Sequence, residues 1–138
     1  MARILSIDYG TKRSGLAVTD PLQIIASGLD ALATKDLLDY IKNYCETEEV
    51  EQFVIGYPTH ADGTPTHVVP HIVGFKRQLE KLFPEKTVHL HDERFSSADA
   101  KAVILQSGTK KKKRRDKSLI DKVSAVLILQ DFLGHLED

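Results

Sequence analysis

The second half of this chain alternates short apolar runs with helical stripes, and that alternation constrains the fold more than any other feature. From Lys35 to about Thr47 the apolar residues Leu37, Leu38, Ile41, Tyr44 and Cys45 follow a helical period. Gln52 to Gly56 is a short buried run closed by Tyr57-Pro58, and Val68, Ile72, Phe75, Leu79 and Leu82 then form one stripe of a second helix. Pro70 fits only near that helix's first turn. Thr87 to Asp92 is strand-like again. Strands separated by helices pair in parallel through right-handed crossovers, so this half predicts a covered sheet.

The first half reads differently. Arg3 to Tyr9 and Gly15 to Thr19 are apolar runs separated by the turn-like Gly10-Thr11-Lys12-Arg13-Ser14, which predicts an antiparallel hairpin. A third strand is expected from about Gln23 to Leu29. Beyond the last strand, Ser96 or Ser97 can cap a third helix reaching about Gln106 and stopped by Gly108. A final helix from about Ser118 to Leu136 is nearly continuously apolar between Val123 and Leu129, as expected of a helix buried on more than one side. The expected order is βββαβαβαα: an α/β fold whose mixed five-stranded sheet has three antiparallel strands followed by two parallel ones.

A chain of 138 residues suits one domain, residues 1–138, and 41% hydrophobic with 28% charged residues excludes disordered and fibrous classes. The N-terminal residues lack a signal-peptide run and no segment reaches membrane-span length, so a cytoplasmic protein without membrane partners is expected. Cys45 lies among apolar helical positions and reads as an inert, buried thiol. Charge is unevenly distributed. Seven of the eight residues from Lys110 to Lys117 are basic, and the remainder of the chain carries a formal −7. That segment, including Lys110, Lys111, Lys112, Lys113, Arg114 and Arg115, suits a polyanion; the alternative is a solvated loop.

Three carboxylates carry the chemistry. Asp8 ends the first strand among apolar neighbours, where a charge is costly unless it meets a cation or hydrogen-bond donors. Gly10 leaves room for a ligand against the backbone, and Lys12 and Arg13 suit phosphate oxygens. The alternative for Asp8 is a turn-forming role. Glu93 ends the last strand, at the edge where α/β ligand sites form, with Arg94 placed to clamp a phosphate; a surface Glu–Arg cluster is the alternative. Asp121 stacks with Ala125, Ile128 and Phe132 and so faces the core, unless it serves only the helix dipole beside Ser118.

Converging carboxylates repel one another unless cations bind between them, and oxygen-only ligands suit Mg²⁺ or Mn²⁺. A pair of such ions supports phosphodiester hydrolysis. Two histidine pairs, His67 with His71 and His89 with His91, offer a competing metal site, but no cysteine joins them and no His-Glu-x-x-His pattern is present. His60, in a loop with Asp62-Gly63, suits substrate contact better.

The segments Asp8 to Gly15, Val54 to Pro58 with Asp62-Gly63, Asp92 to Ser97 and Ile120 to Ala125 together resemble the YqgF family, also called the RuvX or Holliday junction resolvase-like family. The resemblance covers nearly the whole chain. It implies an RNase H-like fold, acidic active-site positions at Asp8, Glu93 and Asp121, and endonucleolytic trimming of the 5′ end of pre-16S rRNA in the cytoplasm. It also implies an Asp8 shared between two ions, with Glu93 and Asp121 completing the coordination. The family typically has Asn at His60, Leu at Tyr57 and a small apolar residue at Ser124, departures that spare the acids. Lys12, Arg13, Arg94 and the basic segment would position structured precursor rRNA, possibly within ribosomal particles, through its backbone. The alternatives are a resolvase of four-way DNA junctions, which would need a dimer, and a non-catalytic, ribosome-associated RNA-binding module. Asp8-Tyr9-Gly10-Thr11 also resembles the Asp-x-Gly-Thr turn that actin-like ATPases and sugar kinases use at nucleotide phosphates, but those proteins close two domains over nucleotide where this chain has the length of one. A monomer or weak homodimer is expected.

Overall fold

The computed structural model describes residues 2–58, 67–93 and 117–134. Its strands are β1 (Arg3–Asp8), β2 (Arg13–Thr19), β3 (Ala26–Ala33), β4 (Val50–Pro58) and β5 (Thr87–Glu93). Its helices are α1 (Leu37–Thr47), preceded by a 3₁₀ turn at Thr34–Asp36, α2 (Val69–Leu82) and α3 (Lys117–Leu133). The five strands form one sheet in the order β3-β2-β1-β4-β5. β1 pairs antiparallel with β2 and parallel with β4, β2 pairs antiparallel with β3, and β4 pairs parallel with β5. The expected mixed sheet is therefore present, with β1 at its centre. The helix expected between Ser96 and Gln106, with its Gly108 stop, lies outside the described residues.

Strand alternation divides the core into two layers. Leu5, Ile7, Leu16, Val18, Phe53, Ile55 and Val88 pack with Leu37 and Ile41 of α1 and Ile72, Phe75 and Leu79 of α2. On the opposite face Ile4, Ala17 and Val54 pack with Ala125, Ile128 and Leu129 of α3. Phe53, Val54 and Ile55 are fully buried in succession, which is why that run reads as unbroken hydrophobicity rather than alternation. Pro70 occupies the first turn of α2, where its missing N–H costs no helical hydrogen bond. α3 is closed by Gly134 at φ 84°, a left-handed conformation that glycine adopts without a Cβ penalty. No helix among the described residues is long and apolar enough to cross a membrane.

Several boundaries depart from expectation: β2 begins at Arg13 rather than Gly15, β3 runs to Ala33 rather than Leu29, and β4 spans Val50–Pro58 rather than Gln52 to Gly56. β3 begins at Ala26 rather than near Gln23, because residues 20–25 form a tight turn instead of extending the strand. The Asp20 carboxylate accepts hydrogen bonds from the N–H groups of Ile24 and Ile25 at 2.7 and 2.8 Å. The apolar residues Leu22, Ile24 and Ile25 suggested a strand, but the aspartate two residues upstream captures the donors a ladder would need.

Candidate active site

The site is built where β1 ends. In the ladder Asp8 pairs with Gly15 of β2. On the other side Ile7 pairs with Ile55, which brings Asp8 level with Gly56 of β4. The central carboxylate is thus flanked on both neighbouring strands by residues without side chains. Gly56 in turn pairs with His91 and Pro58 with Glu93, so the backbone of Glu93 ends β5 two residues beyond the level of Asp8. Its side chain lies outside the described residues.

α3 crosses the same face and delivers Asp121. A Cβ on Gly15 would stand 2.1 Å from the Asp121 carbonyl oxygen, so the helix backbone rests directly on the strand at this point. Ser6, fully buried two residues before Asp8, donates its hydroxyl to the Ala125 carbonyl at 2.7 Å, one turn further along. Together these contacts fix the helix over β1 and β2. Gly15 and Ser6 were missed as site-building residues, although glycine inside an otherwise apolar strand is a recognisable signal of close backbone approach.

Electrostatics follow from this geometry. Burial, and secondarily the charge of Asp121, push the Asp8 carboxyl up from 3.8 to about 7. Arg13, expected to meet phosphate, places its Nε 3.3 Å from Asp121 Oδ2, which is itself shielded from solvent. One guanidinium therefore offsets part of the negative charge on the helix side. Tyr9, packed on Phe75 at 5.2 Å between ring centroids, has its phenol raised by burial.

The turn between β1 and β2 is held by a closed circuit. The Gly10 N–H donates to Ser14 Oγ at 3.3 Å, Ser14 and Thr34 hydroxyls meet at 2.8 Å, and Thr34 Oγ1 donates to the Gly10 carbonyl at 2.6 Å. The Thr34 N–H reaches the Lys12 carbonyl at 3.0 Å. A Cβ on Gly10 would meet the Arg13 carbonyl oxygen at 2.3 Å, so close approach at Gly10 comes from the chain's own backbone. The Lys12 side chain is exposed on this turn.

Of the two histidine pairs, only His89 with His91 has side-chain partners in the fold among the contacts of the described residues. His67 and His71 are exposed at the start of α2. His89 hydrogen-bonds Gln52 at 2.8 Å and His91 meets Asp131 Oδ2 at 2.6 Å, both rings lying against Phe132 of α3. Among the described residues no three His, Cys, Asp or Glu side chains cluster closely enough to hold a metal ion. Cys45 is half-buried rather than buried, and burial raises its thiol. Ser124 is buried on α3. His60, Arg94 and the run Lys110, Lys111, Lys112, Lys113, Arg114 and Arg115 lie outside the described residues.

A mixed sheet centred on β1, crossed by a helix that carries an acid toward the end of that strand, defines the RNase H-like architecture of the resolvases. The fold matches that of the fowlpox virus Holliday junction resolvase, at a TM-score of 0.56 and 14% identity over 97% of this chain and 99% of that one. It also matches Thermus thermophilus RuvC in complex with a Holliday junction substrate, at 0.52 and 15% over 97% of both chains. The chain belongs to the RuvX family, whose model, described as Holliday junction resolvase, matches residues 2–135. Relatives named "Putative pre-16S rRNA nuclease" include one from Christiangramia forsetii, 47% identical over 96% of this chain and 98% of its own. Another, from Porphyromonas gingivalis, is 48% identical over 98% of both chains.

Proposed function

We propose that this chain is a divalent-metal-dependent endonuclease, acting as one domain, that hydrolyses phosphodiesters of pre-16S rRNA during ribosome biogenesis. The observation that carries the reading is Asp8: a carboxyl ending the central strand, between two glycines, desolvated and facing the charge of Asp121. Such an arrangement is unfavourable in isolation and becomes favourable with a cation between the acids. The donors are hard oxygens, which fit Mg²⁺ or Mn²⁺ rather than Zn²⁺.

In this reading Asp8 and Asp121, with Glu93 from the end of β5, hold two ions. Bound there, the ions supply charge neutralisation and electrostatic stabilisation for phosphodiester cleavage. The protein's part is positioning. β1 and β5 present their acids from a rigid sheet, and α3 is locked over them by Ser6 and Gly15. Arg13 holds Asp121 in place, while Lys12, Arg94, His60 and the basic segment steer the nucleic-acid backbone.

Naming of relatives with 45–48% identity after pre-16S rRNA favours RNA as the substrate. The resolvase description of the family keeps four-way DNA junctions as the second reading. The test is to incubate the wild type and Asp8→Asn with precursor rRNA and with a four-way junction, in Mg²⁺, Mn²⁺ or EDTA. Cleavage of the precursor that is lost in the variant and in EDTA is expected. Cleavage that survives either change overturns the proposed chemistry, and junction cleavage alone transfers the activity to DNA.

A further inference from the structure

The turn that displaced the start of β3 has features the carboxylate site does not use. Leu22, Ile24 and Ile25 are 56, 58 and 63% exposed, three large apolar side chains within four residues. Exposed apolar side chains scattered singly are ordinary, but a compact group on a rigid support marks a contact surface. The support is rigid. Gln23 sits at φ 60°, in the left-handed region uncommon outside glycine, and its N–H donates to the Asp20 carbonyl at 2.9 Å. The Gln23 side-chain amide is tied to the Ala2 carbonyl at 2.9 Å and to the Glu51 carboxylate. Asp20 closes the turn by accepting from the N–H groups of both isoleucines. A strained residue is thus held by Asp20, Ala2 and Glu51 while the apolar side chains beside it face solvent.

The surroundings specify the partner. Glu51 is in contact with the turn, Glu49 lies on the adjoining segment that binds the Arg3 N–H, and both are exposed. Backbone hydrogen bonds, that from Ile25 foremost, hold the Asp20 carboxyl below its ordinary range. Arg3 on the same edge is already committed to Glu48 at 3.0 Å and to the Thr19 carbonyl. An acidic rim repels nucleic-acid phosphates. It also repels a second copy of the same patch, since a two-fold contact would bring like rims together. A cationic polypeptide carrying apolar anchors satisfies both features.

The position is equally specific. The turn follows Thr19, whose hydroxyl accepts from the Ile4 N–H, whereas the carboxylates stand at the Asp8 end of the same strand. Four residues of β1 separate the two levels, about 13 Å of strand. We infer that Leu22, Ile24 and Ile25, with the rim of Asp20, Glu49 and Glu51, form a docking surface for a cationic protein, so that the enzyme grips the protein component of a ribonucleoprotein substrate while the opposite end of the strands faces the RNA. This inference rests on the reading of precursor rRNA as substrate.

The test compares binding to purified small-subunit precursor particles with binding to the same RNA stripped of protein. Leu22→Ser/Ile24→Ser/Ile25→Ser is expected to weaken particle binding by about tenfold or more, with binding and metal-dependent cleavage of stripped RNA unchanged. Glu49→Lys, which leaves the anchors of the turn and its apolar group intact, is expected to weaken particle binding in the same direction. Particle binding unchanged in both variants, equal loss on stripped RNA, or no wild-type preference for particles each overturns the inference. So does a wild-type dimer in sedimentation that the triple serine variant dissolves, because the patch would then be a self-contact. Failure to cleave stripped precursor RNA while particle binding responds to these variants would instead overturn the substrate reading and leave the docking surface standing.

Discussion

Gly15 of β2 and the carbonyl of Asp121 occupy a single slot, with a Cβ on the glycine standing 2.1 Å from the carbonyl oxygen and 3.1 Å from the Asp121 Cβ. The distance between helix and sheet at the candidate site is set by this contact. Gly15→Ala must push α3 outward, and overpacking against backbone costs about 1–3 kcal/mol. The expected result is a lower urea midpoint together with weaker Mn²⁺ binding by calorimetry, because Asp121 moves with the helix away from Asp8. An unchanged midpoint and unchanged Mn²⁺ affinity would show that the close approach is not needed.

Asp8 makes stability depend on pH in the metal-free protein. Its folded pKa of about 7 exceeds the ordinary 3.8, so between those values the folded state binds more protons than the unfolded state. Stability contributed by this group is therefore full below pH 3.8, falls as pH rises, and is lost above about 7. The shift corresponds to a penalty on the order of 4 kcal/mol. Asp8→Asn removes the penalty, so in EDTA at pH 8 the variant should melt above the wild type, with the gap narrowing toward acid. A variant that melts at or below the wild type at pH 8 contradicts the electrostatics described here.

Metal should reverse that order. A ligand binding only the folded state at a hundred times its dissociation constant stabilises by about 2.7 kcal/mol. Mg²⁺ or Mn²⁺ is expected to raise the melting temperature of the wild type and to leave Asp8→Asn and Asp121→Asn nearly unmoved. Equal metal-induced shifts in all three proteins would place the binding site elsewhere.

The order of elements and the mixed sheet were legible because the signals are local: helical stripes, an unbroken buried run at Phe53 to Ile55, and a turn after Tyr9. Asp121 was legible for a similar reason, since its stripe with Ala125 and Ile128 is a periodicity. What could not be read was non-local. The role of Gly15 depends on a helix more than a hundred residues later in the chain, and Ser6 on a carbonyl equally remote. The strand start misplaced at Gln23 failed because one carboxylate, Asp20, outbid the ladder for two backbone donors. His89 and His91 alternate as ligands on a strand would, yet their partners Gln52 and Asp131 come from two other elements.

The His91–Asp131 pair joins β5, two residues before Glu93, to the last turns of α3. His91 and Asp131 side chains are 25 and 18% exposed, and their separation is 2.6 Å. Removing one partner leaves the other half-buried without its bond, at a cost of about 1–3 kcal/mol. His91→Ala and Asp131→Ala should each lower the urea midpoint, and the double variant should lose less than the sum. Additive losses would mean that the two side chains do not support one another.

The basic segment and the acids should separate cleanly in kinetics. Lys110 to Lys117 carries seven positive charges, and phosphate contacts from such groups release counterions, so each contact steepens the salt dependence of binding by about one logarithmic unit per decade of salt. Replacing Lys110, Lys111, Lys112, Lys113, Arg114 and Arg115 with serine should weaken RNA binding and flatten that slope, while cleavage at saturating RNA persists because the carboxylates are untouched. Asp8→Asn should do the opposite, abolishing cleavage while the salt slope stays as in the wild type. Filter binding across a salt series, paired with single-turnover cleavage, reads both quantities. An unchanged slope in the serine variant would leave the segment a solvated loop and assign the backbone contacts to Lys12 and its neighbours on the β1–β2 turn.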